Sequence, residues 1–212
     1  MEYHKIETLF ERDKDTFIVD PSILKSPVLA TIKEWDVTEK IDGTNIRVML
    51  SPDGELKFHG RSDNANIPGD LVQYLMRTFQ AENLKGVLWI GDTPTNVVLY
   101  GEGYGAGIQK GGGLYRTDKA FILFDVLVDG KWWLDREAVS DIAAKLNIEV
   151  VPYLGRFTLD QIVEFVRTGF NSHIGTAKAE GIVARPIETL FDKRLKRIII
   201  KLKTKDFIAG KR

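Results

Sequence analysis

Short runs rich in β-forming residues dominate the pattern of hydrophobic and polar positions along the chain and predict β-strands. Residues 44–50 (TNIRVML) and 55–60 (ELKFHG) flank a turn signal, and residues 120–128 (AFILFDVLV) meet residues 131–134 (KWWL) across an Asp-Gly pair. Short connections of this kind between strand-like runs are typical of hairpins, whose strands are antiparallel. The pattern therefore predicts a framework made mostly of antiparallel sheet.

Three other segments repeat their apolar residues with the period of an amphipathic helix. The first covers residues 69–83, the second lies near residues 138–146, and the third begins with Thr158 and Gln161 at capping-box spacing and ends near Gly169. The stripes predicted to face the core are Leu71, Val72, Leu75, Met76 and Phe79; Ala138, Val139, Ile142, Ala143 and Leu146; and Leu159, Ile162, Val163 and Val166. Regular βαβ alternation is missing, which favours an α+β fold of antiparallel sheets with flanking helices.

Length and composition narrow the class of protein. A chain of 212 residues can bury one sizeable core, so we expect residues 1–212 to form a single domain. No apolar run approaches the roughly 18 residues that span a bilayer, and the N-terminus is acidic and polar where a signal peptide is basic and then apolar. The chain contains no cysteine, which excludes disulfides and thiolate metal sites. These features predict a cytoplasmic, intracellular protein without a membrane partner.

The charges balance in number but not in distribution. Lys and Arg total 30 against 30 Asp and Glu, which argues against binding of nucleic acid by bulk charge alone. Residues 193–205 nevertheless hold seven basic residues and no acid. This segment fits either a surface that faces phosphates or an edge strand protected by lysines. Strand periodicity there places two sets on opposite faces: Lys201, Lys203 and Lys205 on one, Ile198, Ile200 and Leu202 on the other.

The glycine-dense segment at residues 101–113 satisfies the loose dinucleotide pattern G-x-G-x-x-G/A, but its context does not fit. A dinucleotide fingerprint opens a helix, and the residues that follow, GIQKGGG, are a poor helix start. We therefore reject a Rossmann site. The segment still places a carboxylate, Glu102, at the end of an apolar strand between glycines that allow a ligand to approach closely.

The stretch TEKIDGTNIRV places Lys40 where a strand-like run reaches a glycine. A lysine becomes a nucleophile only as the neutral amine, which burial or neighbouring cations favour. Lys201 and Lys203 are candidates for those cations, and two ammonium groups would also bind a polyphosphate. The spacing K-x-D-G is only suggestive by itself, and other segments of the chain strengthen it.

Six segments in order resemble the motifs of the covalent nucleotidyltransferases, which include polynucleotide ligases and mRNA capping enzymes. They are EKIDGTN, HGRSD, LYGEGYG, FILFDV, AEGIVARP and IIIKLK. The first motif, the GAGIQK after the glutamate and the AEG-x-V with a following proline are similar to the RNA ligase 2 type. The resemblance runs from Glu39 to about Phe207. It implies a nucleotidyltransferase fold, an ATP-grasp-like ligase domain with a central nucleotide cleft.

The resemblance also implies a reaction and its cofactors. An ATP-dependent RNA ligase of this type forms a lysyl-adenylate, transfers AMP to an RNA 5′-phosphate, and seals that end to a 3′-hydroxyl; Mg²⁺ or Mn²⁺ assists. The roles carried over are Lys40 as nucleophile, Glu39 and Ile41 at the adenine, Phe124 stacked on the base, Glu102 at the ribose, Asn45 and Arg61 at ribose or phosphate, Glu180 at the metal, and Lys201 with Lys203 at the α-phosphate.

Two departures leave alternatives open. Asp42 stands where the close phage relatives often carry histidine, and aspartate is what DNA ligases and capping enzymes use, so a DNA ligase or end-repair enzyme is one alternative. The family usually continues into a second domain beyond Lys203, so we expect a minimal ligase, a truncated piece, or an enzyme with a partner protein replacing that domain. The expected nucleic-acid partner is an RNA end or nicked duplex, and phage is one expected source. A non-sealing nucleotide-binding module is the alternative of a different class.

Overall fold

The computed structural model describes residues 1–15, 18–89, 91 and 93–207. Within them the chain forms thirteen strands. In chain order they are β1 (Glu7–Thr8), β2 (Phe10–Arg12), β3 (Val19–Leu24), β4 (Trp35–Lys40), β5 (Thr44–Leu50), β6 (Leu56–His59), β7 (Val97–Gly105), β8 (Lys119–Val128), β9 (Trp132–Trp133), β10 (Glu149–Val150), β11 (Tyr153–Phe157), β12 (Gly181–Pro186) and β13 (Ile200–Lys203).

The helices of the described residues are few and short. The α-helices are α1 (Gly69–Thr78), α2 (Ala81–Leu88), α3 (Arg136–Lys145) and α4 (Leu159–Thr168), and single 3-10 turns lie at Pro27–Thr31, Gly112–Leu114 and Thr204–Phe207. In this part of the chain no helix has the length and apolar character needed to cross a membrane. The chain divides into two compact units: the first is Met1–Tyr3 with Asp42–Val151, and the second is His4–Ile41 with Pro152–Arg212.

The first unit is built on a sheet with the strand order β10-β8-β7-β5-β6, to which β9 adds by pairing with β8. All pairs are antiparallel except β10 with β8. The predicted hairpin between β8 and β9 is confirmed: Asp129 (φ 50°) and Gly130 (φ 65°) both have positive φ, as a type I′ turn requires. The core of this unit packs α1 and α3 on one sheet face, with Ile46, Val48, Leu71, Leu75, Leu99, Phe121, Leu123, Val126 and Val139 buried.

The second unit has a separate sheet with the order β1-β13-β12-β4-β11 and a small sheet of β2 with β3. Only β1 with β13 is parallel. Its core contains Trp35, Val37, Ile162, Val166, Ile182, Ala184, Ile200 and Leu202. The predicted capping box of α4 is confirmed, since Thr158 accepts from Gln161 N while the Gln161 side chain accepts from Thr158 N. The architecture confirms the predicted α+β class with mostly antiparallel sheets.

The prediction of one helix over residues 69–83 is wrong in part. The segment breaks at Phe79 and Gln80, which are extended, and a second helix, α2, follows and buries Leu84. Met76, predicted to face the core, is 59% exposed. At about 100° per residue Met76 lies roughly 140° around the helix from Leu71, so the two cannot share one narrow stripe.

Two other sequence expectations have clear outcomes. β7 continues through the glycine pattern to Gly105 and no α-helix opens there, which confirms that the segment is not a dinucleotide fingerprint. The predicted alternation after residue 197 is confirmed for β13, where Ile200 and Leu202 are buried. Lys205 departs from it, because the strand ends at Lys203 and Lys205 lies in the following 3-10 turn.

We predict that two glycine-to-alanine changes in the first unit shift stability in opposite directions. A Cβ on Gly101 would stand 2.2 Å from Phe121 Cζ and 2.5 Å from the Ile122 carbonyl oxygen, so Gly101→Ala should destabilise by about 1–3 kcal/mol. Gly86, inside α2, has no atom within 4 Å of such a Cβ, so Gly86→Ala should stabilise by up to about 1 kcal/mol. Urea midpoints followed by tryptophan fluorescence test this pair. Shifts of the same sign would contradict it.

Candidate active site

Lys40 and Lys203 lie in one row across three strands of the second unit. Gly181 on β12 is the register partner of Lys40 on β4 and of Lys203 on β13. Because directly opposed residues of paired strands share a sheet face, both amines project on the same side. Gly181 (φ 155°) contributes no side chain between them, and a Cβ there would stand 2.1 Å from the Leu202 carbonyl oxygen. The row therefore leaves a gap between two amines.

Glu180 bridges this gap. Lys40 Nζ donates to Glu180 Oε2 at 2.5 Å, and Lys203 Nζ donates to Oε1 of the same carboxylate. Thr204 fixes the backbone at Glu180. Its N–H donates to the Glu180 carbonyl oxygen (2.9 Å) and its Oγ1 donates to the Ala179 carbonyl oxygen (3.2 Å). The Glu180 side chain is 15% exposed. The structure thus brings Lys40, Glu180 and Lys203 together; we call these three residues the lysine-carboxylate cluster.

The electrostatics of the cluster favour the ionised carboxylate. Burial by itself raises the pKa of Glu180, but the ammonium groups of Lys40 and Lys203 outweigh it and hold the pKa below its ordinary value. The cluster therefore carries one net positive charge when both lysines are protonated. A net cation on a partly buried sheet face is suited to a polyphosphate.

The resemblance to the ligase motifs assigns Glu180 to a divalent cation, and a single carboxylate is compatible with that role. No group of three or more His, Cys, Asp or Glu side chains that could hold a metal occurs in the described part of the chain. Mg²⁺ at phosphoryl-transfer sites is commonly held by one or two carboxylates together with substrate phosphates and water, so a single glutamate fits. The metal role of Glu180 stays a prediction.

Lys201 lies one row further along the same sheet face. Its cross-strand partner is Val183 on β12, whose partner on β4 is Thr38. Thr38 Oγ1 donates to the Val183 carbonyl oxygen (3.3 Å). One sheet face therefore carries the side chains of Lys40, Lys201 and Lys203. The strand alternation predicted this for Lys201 and Lys203. The opposite face is occupied by the apolar core of this unit.

Glu39 projects away from Lys40, on the core side of the sheet. Its buried carboxylate accepts from Ser172 Oγ (2.5 Å) and His173 N (2.9 Å), and His173 Nδ1 lies 3.4 Å away. These bonds attach the loop that contains Ser172 and His173 to the end of β4. Ile41, which follows β4, is buried. The adenine roles of Glu39 and Ile41 stay predictions.

In the first unit, Asn45 and Glu102 are direct partners on β5 and β7. Asn45 Oδ1 is buried and accepts no hydrogen bond from any residue that the structure describes. A buried acceptor without a donor is energetically costly unless a ligand or water supplies one. Close by in sequence, Gln109 Nε2 donates to the Gly43 carbonyl oxygen (2.8 Å), which joins the GAGIQK segment to the glycine of the lysine motif.

Phe124 occupies a β-bulge. Tyr100 pairs with Asp125 and Gly101 with Leu123, so Phe124 is an extra residue of β8. A bulge changes the direction of a side chain, and here the ring meets Tyr3 edge to face at a centroid distance of 5.1 Å. Asp125, fully buried, accepts from Tyr3 Oη at 2.7 Å. The sequence analysis missed both Tyr3 and Asp125, and the stacking role of Phe124 stays a prediction.

Arg61 is exposed in the loop after β6, and a different arginine holds that loop in place. Arg47 on β5 is 1% exposed; its Nε donates to the Gly60 carbonyl oxygen and its Nη2 to Asp63 Oδ1, both at 2.8 Å. The Arg47 guanidinium also lowers the pKa of Asp63. Sequence reasoning missed Arg47, since an arginine between apolar neighbours in a strand is expected to face solvent.

Comparison with known proteins identifies the family. The family model described as RNA ligase matches residues 33–203, so the chain belongs to the RNA ligase family. That range includes all ten residues assigned to the site, from Glu39 to Lys203. Among curated proteins, none matches this chain.

Solved structures of Naegleria gruberi RNA ligase share the fold. One mutant with ATP and Mn has a TM-score of 0.68 at 21% identity, covering 96% of this chain and 56% of that one. A second with ATP and Mn has 0.66 at 20%, covering 94% and 60%. A third, with AMP and Mn, has 0.64 at 20%, covering 94% and 61%. The chain thus spans about three fifths of the length of these enzymes.

We predict that Glu180→Gln destabilises the protein by about 1–3 kcal/mol at neutral pH, because it leaves two ammonium groups without their counter-charge. The folded pKa of Glu180 lies below its usual value of 4.5, so its stabilisation is present above that value and is lost as the pH falls through the folded pKa. The stability gap between wild type and variant should therefore narrow below pH 4.5. Urea unfolding across pH measures it.

Glu188→Gln is the matched control for this prediction. Glu188 is an exposed glutamate of the same unit, so its replacement should change stability little at any pH. A gap between wild type and Glu180→Gln that is constant across pH would contradict the ion-pair account.

We also predict that Arg47→Met destabilises the first unit by about 2–4 kcal/mol, because the Gly60 carbonyl and Asp63 lose their donor. Arg77→Met, at an exposed position near the end of α1, is the control and should change stability by less than about 0.5 kcal/mol. Urea midpoints compare the two variants. Equal, small effects would show that Arg47 does not hold the loop.

Proposed function

We propose that this member of the RNA ligase family is an ATP-dependent RNA ligase that works through a lysyl-adenylate on Lys40. The observation that carries the proposal is the lysine-carboxylate cluster: the motif lysine is held at a partly buried carboxylate beside a second amine. Phosphoryl transfer requires positioned groups and charge neutralisation more than acid chemistry by side chains, and the cluster offers both.

In the first step Lys40 Nζ, after losing its proton, forms a bond to the α-phosphorus of ATP. The bond from that phosphorus to the bridging oxygen of the β-phosphate breaks, and pyrophosphate leaves with the electron pair. Lys203 and Lys201 share the sheet face of Lys40 and would neutralise the charge on the α-phosphate. Mg²⁺ or Mn²⁺ at Glu180 would neutralise the triphosphate and orient it. The neighbouring structures with ATP and Mn support this choice of cofactors.

Of the groups that the motifs assign to the nucleoside, Asn45, Glu102 and Phe124 belong to the first unit, whereas Glu39 and Ile41 belong to the second. Asn45 Oδ1, buried and without a donor among the described residues, fits a hydroxyl group better than a phosphate oxygen, which could not donate to it. This favours a ribose contact for Asn45, beside its strand partner Glu102. Phe124 is assigned to the base and Arg61 to ribose or phosphate by motif alone. That residues 1–212 act as one adenylation domain likewise stays a prediction.

Two later steps complete the proposed reaction. An oxygen of the RNA 5′-phosphate attacks the adenylate phosphorus, the bond to Lys40 Nζ breaks, and AMP is transferred to the RNA end. A 3′-hydroxyl then attacks the 5′-phosphorus of that end, a phosphodiester bond forms, and AMP leaves. Asp42 keeps DNA as an alternative substrate of the same chemistry, and a module that binds nucleotide without turnover predicts no covalent adduct.

The first step predicts a covalent adduct on one lysine. After incubation with ATP and Mg²⁺, the wild-type protein should gain the mass of one AMP, and Lys40→Ala should gain none because it lacks the nucleophile. Lys33→Ala, at an exposed lysine shortly before β4, should form the adduct like wild type. Intact-mass spectrometry measures all three proteins. A wild type that is folded but unmodified would contradict the proposal.

A further inference from the structure

Residues 187–199 connect β12 to β13 and form a short hairpin rich in basic side chains, which we call the basic hairpin. An isolated bridge pairs Phe191 with Arg197 and closes it. Between them Lys193, Arg194 and Lys196 are exposed. None of the residues assigned above to ATP chemistry lies in this segment, so its charges require a separate explanation.

The turn of the basic hairpin is fixed by Asp192. Its Oδ1 accepts from the backbone N–H of Arg194 (2.8 Å) and of Lys196 (2.9 Å), while its own N–H donates to the Lys196 carbonyl oxygen (2.8 Å). The hydrogen bond from Lys196 N is the main reason that the pKa of Asp192 is lowered. Leu195 has a positive φ of 57° at the tip. Asp192, the only acid between Phe191 and Arg197, is thus bound to the backbone of the turn that carries the three cations.

The chemistry of the basic hairpin fits a polyanion. Within the described residues no salt bridge joins Lys193, Arg194 or Lys196 to a carboxylate, whereas Lys57, Lys85 and Lys145 of the first unit each form one. Phe191 and Leu195 beside the cations are 52% and 84% exposed. Three exposed cations on one turn can each meet a phosphate of a nucleic-acid backbone.

The basic hairpin also follows directly on the strand that carries the lysine-carboxylate cluster at its start. β12 begins at Gly181, beside the lysine-carboxylate cluster, and ends at Pro186, where the hairpin starts. Arg185 lies on the same sheet face as Lys40, because alternate residues of a strand share a face, and its direct partner on β4 is Asp36. The three cations therefore lie in the connection that leaves β12 at the end remote from the cluster.

We propose that the basic hairpin binds the phosphate backbone of the RNA substrate away from the end that is adenylated. This inference rests on the proposed ligase function and adds to it the surface that engages the polynucleotide. It gives an electrically neutral chain a local site for RNA, which the overall charge does not supply.

The test measures binding of a fluorescent nicked RNA duplex as a function of KCl concentration. The variant replaces Lys193, Arg194 and Lys196 with alanine, and the matched control replaces Lys5, Lys14 and Lys33, three exposed lysines of the same unit. Each lost phosphate contact lowers the slope of log K against log salt by about 0.7–0.9, so the hairpin variant should lose about two units of slope and bind about tenfold or more weakly at low salt. The control should match wild type.

The outcomes separate this inference from the ligase proposal. Wild type that forms the AMP adduct and binds RNA, with an undiminished salt slope in the hairpin variant, overturns the basic hairpin as the RNA surface and leaves the ligase chemistry standing. Wild type without an adduct overturns the proposed function itself. A loss of slope seen only with the same duplex made of DNA overturns the assignment to RNA. An unchanged unfolding midpoint shows that the hairpin variant is folded.

Discussion

The Glu180 carboxylate, shared by the ammonium groups of Lys40 and Lys203, is the interaction on which the rest of the candidate site depends. Two cations taken partly out of water repel one another and lose hydration, and a carboxylate between them offsets both effects. The arrangement requires that β4, β12 and β13 keep their register, because only then do both lysines flank Gly181. A slip of one residue in β13 would turn Lys203 toward the core and Leu202 toward solvent. The apolar core of the second unit therefore fixes the position of the Lys40 amine.

The first unit positions its own polar groups by similar means. Arg47 is buried inside a strand and binds the loop that carries Arg61, while Asp125 is buried and binds Tyr3. Such bonds add rigidity because breaking either takes one partner from a buried polar group. Asn45 is the exception, since its buried Oδ1 lacks a donor among the described residues. A ligand or a water molecule would have to supply the donor that this oxygen lacks.

Local patterns predicted the parts of the fold that local physics decides. The Asp129-Gly130 turn, the capping box of α4 and the alternation of β13 each depend on residues a few positions apart, and all three are confirmed. The motif order also led to the correct family. The break between α1 and α2 was missed because Phe79, four residues after Leu75, continues the helical spacing of α1 although its backbone is extended.

Contacts between distant parts of the chain were beyond the reach of sequence patterns. Glu39 meets Ser172 across 133 residues, and Tyr3 meets Asp125 across 122. Neither pair has a spacing that repeats or a residue type that signals its partner. Arg47 was missed for a related reason. Strand alternation places its side chain on the sheet face away from Ile46 and Val48, but it does not reveal that a loop covers the face with Arg47.

The central claim is that this chain joins RNA ends by chemistry at Lys40. The most direct measurement gives the purified protein ATP, Mg²⁺ and a nicked RNA duplex with a labelled 5′-phosphate at the nick, and separates the products on a denaturing gel. The account predicts an adenylated RNA strand followed by a sealed strand of full length, with neither formed by Lys40→Ala. A labelled strand that stays unchanged with folded wild-type protein would contradict it.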